Sequence, residues 1–220
     1  MSGSKARRVT VVIIEDNSVV RMTLRAMLRH AGLEVVGEAP SAEQGLELVR
    51  RHRKPTHIVH VCTAYEVERV ADAKAEGLPV TVGVCPHHLC LTERDVDHLG
   101  SLGWMKPSLK TQADQDALWW ALKNSVIDVV ESDHAPHTLQ EKTATPPPYG
   151  VPGLETTLPL LCTALSEGRL SAERIIELVA ENPRSIFGLE CPPDTYTVID
   201  LNASYTVERQ NLHTLCGWSP

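Results

Sequence analysis

Short apolar runs rich in Val and Ile alternate along this chain with stretches whose apolar residues recur at helical spacing. The runs cover residues 9–14, 33–38, 57–62, 79–84 and 126–131. Continuous β-branched runs of this length read as parallel strands buried on both faces. After the first run, Val20, Leu24, Met27 and Leu28 mark a helix over 19–29 that Gly32 stops. Ser41 caps a second helix that ends near Arg53 and is closed by Pro55. Further helices are expected over 65–76, 112–124, 155–167 and 172–180, the last capped by Ser171 with Glu173 in its first turn. Residues 143–152 are Pro-rich and read as a loop. Repeated β-α units with short connections predict an α/β fold, a parallel sheet of about five strands with flanking helices. That number is too small to close a (β/α)8 barrel, so the expected architecture is flavodoxin-like or a half-barrel, a partial TIM barrel.

Composition changes this picture only at the margins. The chain has 220 residues, enough for one large domain or two small ones, and a hydrophobic fraction of 42% that is ordinary for a globular protein. A net charge of -7 argues against nucleic acid and fits a protein that handles small molecules. Six cysteines without a CxxC pair read as reduced, scattered thiols of an intracellular protein. The basic start, residues 1–8, leads into an apolar run that Glu15 and Asp16 cut short, which is neither a signal peptide nor a membrane span. A cytoplasmic location with no membrane partner is therefore expected. Trp119 and Trp120 are adjacent on one helix, so one belongs to the core and the other to the surface or an interface.

Candidate chemistry gathers where strands end. Glu15 and Asp16 follow the first run, and Ser132-Asp133-His134-Ala135-Pro136-His137 follows the fifth. Enzymes of the α/β class place their sites at C-terminal strand ends. An Asp there can bind a metal or take a proton, and a His past a rigid Pro can reach a substrate from the same loop. The same residues also fit an N-capping Asp beside two solvated histidines.

The hexapeptide 132–137 resembles the strand-eight motif of dihydroorotases, metal-containing (β/α)8 barrels of the amidohydrolase superfamily. Other segments share the likeness in the family's order: residues 57–63, 80–89, 104–110, 150–156 and 181–189, so that it runs from 56 to 220. The resemblance implies metal-assisted opening or closing of a cyclic amide in pyrimidine biosynthesis. The substrate would be dihydroorotate or carbamoyl aspartate and the cofactor zinc. His60 would be the strand-six metal ligand, and Asp133 the strand-eight ligand and general acid/base. Lys106, His137 and the Pro152-Gly153 turn would hold the substrate. Gly83 stands where some relatives carry an acidic residue. The family's other ligands come from a His-x-His on strand one, a carboxylated Lys or an Asp, and a strand-five His. No His-x-His occurs in this chain. A catalytic zinc needs about three protein ligands, and His60 with Asp133 supplies two. His57 would face the opposite side of an extended strand from His60. His134, His137, His87 or His88 are further donors for such a site, while His60 also fits a hydrogen-bonded core histidine.

Residues 8–55 resemble something else, the first β-α-β-α of a response-regulator receiver domain. In that family an acidic pair, here Glu15 and Asp16, helps hold Mg²⁺ beside a phosphorylated Asp. The acceptor position falls on Val61, which cannot be phosphorylated. The expected plan is therefore a receiver-like segment 1–55, a dihydroorotase-like half-barrel segment 56–190 and a truncated post-barrel tail 191–220. These are spliced as a chimera at 55–56 into one composite domain. Three functional readings follow: a dihydroorotase-like amidohydrolase by ancestry with an incomplete metal site, a non-catalytic chimeric scaffold, or a degenerate receiver-like signalling module. Apolar surface left uncovered makes a homo-oligomer the expected partner state.

Overall fold

A computed structural model describes residues 9–219; the basic start at 1–8, with the leader reading that rests on it, lies outside the described residues. The elements run β1 (Thr10–Ile14), α1 (Ser18–His30), β2 (Glu34–Ala39), α2 (Ala42–His52), β3 (Thr56–Ile58), α3 (Ala64–Ala75), β4 (Val80–Val84) and α4 (Pro86–Cys90). They continue with α5 (Val96–Leu99), α6 (Gln112–Lys123), β5 (Val129–Val130), α7 (Leu139–Lys142), α8 (Leu154–Ser166), α9 (Ala172–Ile176) and α10 (Asn182–Phe187). The chain divides into two compact units, one up to Thr56 with Asp72–Val80 and one of His57–Ala71 with Thr81–Pro220.

In the first unit β1 and β2 pair in parallel. Asn17 caps α1 by accepting from the Val19 and Val20 amides, and Ser41 caps α2 through the Gln44 amide. Val49, Ala73, Leu78 and Val80 form its apolar cluster. Arg50 grips Glu76 with a two-pronged guanidinium bond at 2.7 and 2.8 Å. Helix α1 buries no side chain fully; its Val19, Met22 and Met27 are exposed.

The second unit carries the larger core. Val61, Val82, Val84, Leu118, Leu122, Ile127, Leu161 and Leu178 pack between strands and helices. Trp119 packs against this core and donates its indole N–H to the Leu89 carbonyl at 2.8 Å, whereas Trp120 is 56% exposed. Val61, the expected receiver acceptor position, is a core residue.

Five strands are present among the described residues, but they form a two-stranded and a three-stranded sheet, ordered β1-β2 and β3-β4-β5. The single five-stranded, flavodoxin-like sheet expected from the periodicity is not formed. Two strands are also shorter than their apolar runs, for one physical reason: side-chain carboxylates replace ladder acceptors. His60 turns to a φ of 44° and gives its N–H to Glu131, and pairing resumes only when the Val61 amide meets the Gly83 carbonyl at 3.0 Å. Asp128 likewise accepts the Val82 N–H on its side chain at 2.7 Å. The last predicted helix ends at Ile176 and continues as a π turn over Glu177–Glu181 before α10. No helix among the described residues is long and apolar enough to cross a membrane.

Arg174 ties α9 to the segment entering β5. Its guanidinium donates to the carbonyls of Leu122 at 2.9 Å and Ile127 at 2.5 Å while pairing with Glu177. Arg174→Ala leaves both carbonyls without that donor and should cost about 2–4 kcal/mol in urea denaturation. Arg174→Lys should recover only part of the loss, because a point charge cannot span two acceptors. A cost below about 0.5 kcal/mol for the Ala variant would show that the bridge carries no stability.

Candidate functional site

The candidate site is built where β3, β4 and β5 end. The Glu131 carboxylate stands in the middle. One oxygen accepts the His60 backbone N–H, and the other lies 3.6 Å from His57 Nε2. His57 also contacts the Thr81 hydroxyl through Nδ1 at 2.9 Å. A Cβ at Gly83 would fall 2.5–2.6 Å from the Glu131 carboxyl atoms, so glycine is what lets that carboxylate lie flat on β4. An acid therefore does reach the Gly83 position, from the neighbouring strand. The expectation that His57 faces away from His60 rested on an extended strand; β3 stops at Ile58, and the alternation stops with it.

His60 and Asp133 both hold left-handed backbone conformations, with φ of 44° and 45°. Such angles are costly for non-glycine residues and occur where surrounding structure enforces them. Burial pushes the Asp133 carboxyl above the ordinary carboxylate range, the nearby His60 opposes this, and the like charge of Glu131 adds to it. His60 is half-buried rather than a core histidine.

The other expected residues gather on the adjoining loops. Gly153 lies so close to the strand-eight loop that a Cβ would meet the Ser132 carbonyl at 2.7 Å, and Pro152 beside it is buried. The Ala135 amide bonds the Val151 carbonyl at 3.0 Å. His137 Nε2 sits 3.1 Å from the Tyr149 carbonyl, and Lys106 Nζ lies 4.6 Å from the Tyr149 ring, which stacks on Trp104. Lys142, only 1% exposed, fastens this loop by donating to the carbonyls of Trp104, Pro148 and Gly150 at 2.9, 2.9 and 3.1 Å. Burial holds its ammonium below the usual lysine range. Trp218 closes the loop from the tail by donating to the His137 carbonyl at 2.7 Å.

Glu15 and Asp16 belong to the other unit. Glu15 accepts the Asn17 amide, and Arg21 donates to the carbonyls of both acidic residues. No third carboxyl, thiol or imidazole joins them among the described residues. The same holds for His60 and Asp133, so neither pair by itself fits the donor set its metal requires. One group of three does converge among the described residues: Cys85, His87 and His88, whose donor atoms lie within 4.8 Å of one another. Burial lowers His87 to about 3, with His88 and His60 adding, and lowers His88 to about 4, partly offset by its bond to the Pro107 carbonyl. Sequence reasoning missed Glu131, Lys142 and Cys85. Glu131 had no periodic signal: it follows the last residue of β5, and its partners His57, His60 and Gly83 are distant in sequence.

The fold is similar to that of amidohydrolase barrels over most of the chain. The L-hydantoinase (dihydropyrimidinase) from Arthrobacter aurescens superposes with a TM-score of 0.65 at 27% identity, covering 81% of this chain and 43% of that one. No family model matches. The multifunctional protein CAD of Squalus acanthias is 39% identical over 193 residues, 87% of this chain and 8% of that protein. The dihydroorotase of Pyrococcus abyssi is 30% identical over 223 residues, 99% of this chain and 52% of that enzyme. The chain is thus homologous to dihydroorotase, an amidohydrolase-superfamily enzyme, over most of its length. It spans about half the length of that dihydroorotase. The Pyrococcus abyssi alignment runs through the segment before Thr56 as well, and no receiver domain is among these relatives; the expected splice has no support.

Gly83→Ala should drive the Glu131 carboxylate off the His60 amide and cost about 1–3 kcal/mol. In a Glu131→Ala background the same change should cost less than half as much, and full additivity would show that the two residues do not share this space.

His87 and His88 generate a pH dependence. Their folded pKa values lie below the unfolded value of about 6.5, so the folded state binds fewer protons in between. Stability should be complete above about pH 6.5 and fall as pH drops towards about 4. The groups facing them are each other and His60, with Lys110 and Glu66 beside His88. Denaturant melts at stepped pH should show that decline in the metal-free protein, lessened in His87→Gln. A flat profile would contradict it.

Proposed function

We propose that this chain is the His60- and Asp133-bearing half of a dihydroorotase-type cyclic amidohydrolase and that it turns over no substrate on its own. The observation that carries this reading is the donor set. His60 and Asp133 stand at the strand ends with the Asp133 carboxyl raised by burial, yet no third ligand converges with them among the described residues. Zinc is the cation the family resemblance implies, and in this reading its remaining donors come from outside the set described. Magnesium at Glu15 and Asp16 forms no part of the proposal. Asp133 is the proton-exchanging group, because a buried carboxyl with a raised pKa can hold a proton nearer neutrality than an exposed one.

Dihydroorotate or carbamoyl aspartate would meet the loop side of the site. Lys106 offers an exposed cation for a substrate carboxylate, steadied over the Tyr149 ring. His137 and the backbone at Pro152-Gly153 would fix the ring against the strand-eight loop. A cytoplasmic location fits six free cysteines. Self-association fits the exposed Tyr196, Val198 and Leu215. The division at 1–55, 56–190 and 191–220 is retained as a plan of segments, without the receiver, signalling or chimera readings. A second reading, a scaffold without catalysis, is favoured by Glu131, which braces the strand ends from within.

The test is a dihydroorotate hydrolysis assay on the purified chain with zinc present, beside its Asp133→Ala variant. Neither protein should exceed the buffer rate. Turnover by the parent chain that Asp133→Ala abolishes would overturn the proposal.

A further inference from the structure

We propose that Cys85, His87 and His88 form a binding site for a soft divalent cation of the zinc class, separate from His60 and Asp133. This goes beyond the amidohydrolase reading: none of the three donors is a residue to which the proposed function gives a role, although His60 faces both imidazoles.

Three donors fall within four residues where β4 passes into α4, and all are buried, with exposures of 0% for Cys85, 3% for His87 and 3% for His88. Their donor atoms already lie within 4.8 Å of one another. Zinc–ligand bonds of about 2.0–2.3 Å place tetrahedral donors about 3.4–3.6 Å apart, so closing the site takes shifts of about 1 Å.

Two of the ring nitrogens have nothing else to do. His87 Nε2 and His88 Nδ1 are buried without a hydrogen-bond partner. A buried polar atom left unpaired is destabilising, and native structures seldom leave one so. The His88 ring also reveals its tautomer. Its Nε2 lies 3.1 Å from the Pro107 carbonyl, which can only accept, so Nε2 carries the proton and the lone pair is on Nδ1. A metal-bound imidazole is oriented in this same way, by an outer bond to a backbone carbonyl. The His87 and His88 rings are tilted by 57° with centroids 4.4 Å apart, so neither stacks flat over the other.

The donor chemistry selects the cation. One thiolate with two imidazoles suits zinc and other soft or borderline ions and disfavours magnesium and calcium. Three protein ligands leave a fourth position open. A cavity of about 200 Å³, lined by His87 with Pro86, Cys90 and Gly153 among others, lies beside the group. On binding, the Cys85 thiol releases one proton to solvent, while the two imidazoles bring lone pairs and lose none. The bound ion would staple the end of β4 to the first turn of α4.

Cobalt(II) is the probe, because a thiolate bound to it gives a near-ultraviolet charge-transfer band. Titrating the full chain should yield that band at about one cobalt per chain, with a matching release of protons. The band and the bound metal should be lost in Cys85→Ala and kept in the His60→Asn/Asp133→Asn double variant. Failure of a folded parent chain to bind cobalt would overturn the proposal, as would a band that survives Cys85→Ala or disappears in the double variant. If Cys85→Ala does not fold, zinc-edge X-ray absorption of the parent chain decides. A shell with one sulfur and imidazole nitrogens supports the site, and a shell without sulfur refutes it.

Discussion

The arrangement of the site depends on one carboxylate lying across the ends of three strands. Glu131 gives the His60 amide an acceptor that the β-ladder would otherwise have supplied. Once that bond is made, the chain can leave the extended conformation at His60, turn left-handed, and still rejoin β4 at Val61. The carboxylate fits only because Gly83 has no side chain. Its charge then raises Asp133, which sits two residues on from it, adding to the effect of burial. Backbone shape at His60 and proton affinity at Asp133 are therefore set by the same group. In this chain the candidate acid and the candidate ligand are coupled through a residue that need not touch substrate.

A second layer of constraint holds the loops that face this centre. The Lys142 ammonium is buried against three carbonyls from a stretch of chain that has no regular hydrogen-bonding pattern of its own. Each charged bond of this kind is worth more than a neutral one, and leaving three carbonyls without it would be expensive. The tail adds Trp218, whose ring packs with Met105, Leu109 and Val151 in a separate small core. Together they hold the Pro-rich loop against the segments that carry His137 and Lys106. The long-range ties are the lysine's bond to Trp104, 38 residues away, and the tryptophan's bond to His137, 81 residues away.

That distance explains what could be read from residues alone. The strand-end motif around Asp133, the loop around Pro152-Gly153 and the helix caps at Ser41 and Ser171 are local, and each was legible. The receiver likeness of the opening segment was local too, and it misled. A β-α-β-α pattern is common to many parallel α/β folds, since each needs the same buried strands and amphipathic helices. What separates them is which strands pair, and that is settled by contacts far apart in sequence. Glu131 and Lys142 were invisible for the same reason: a lone acid on a strand and a lone lysine on a short helix carry no periodic signal. Parity failed at His57 and His60 because a side chain had taken over a backbone acceptor's role.

The two groups of metal-binding residue types differ in how their burial is satisfied. At the strand ends, Glu131 has both oxygens placed by protein groups, and the Asp133 carboxyl can relieve its burial by holding a proton. The His57 Nε2 beside Glu131 is nonetheless buried without a hydrogen-bond partner. At the start of α4 one nitrogen of each imidazole, His87 Nε2 and His88 Nδ1, is buried without a hydrogen-bond partner, while His88 Nε2 meets the Pro107 carbonyl. What sets Cys85, His87 and His88 apart from His60 and Asp133 is that three donors converge there and two of the ring nitrogens are unpaired.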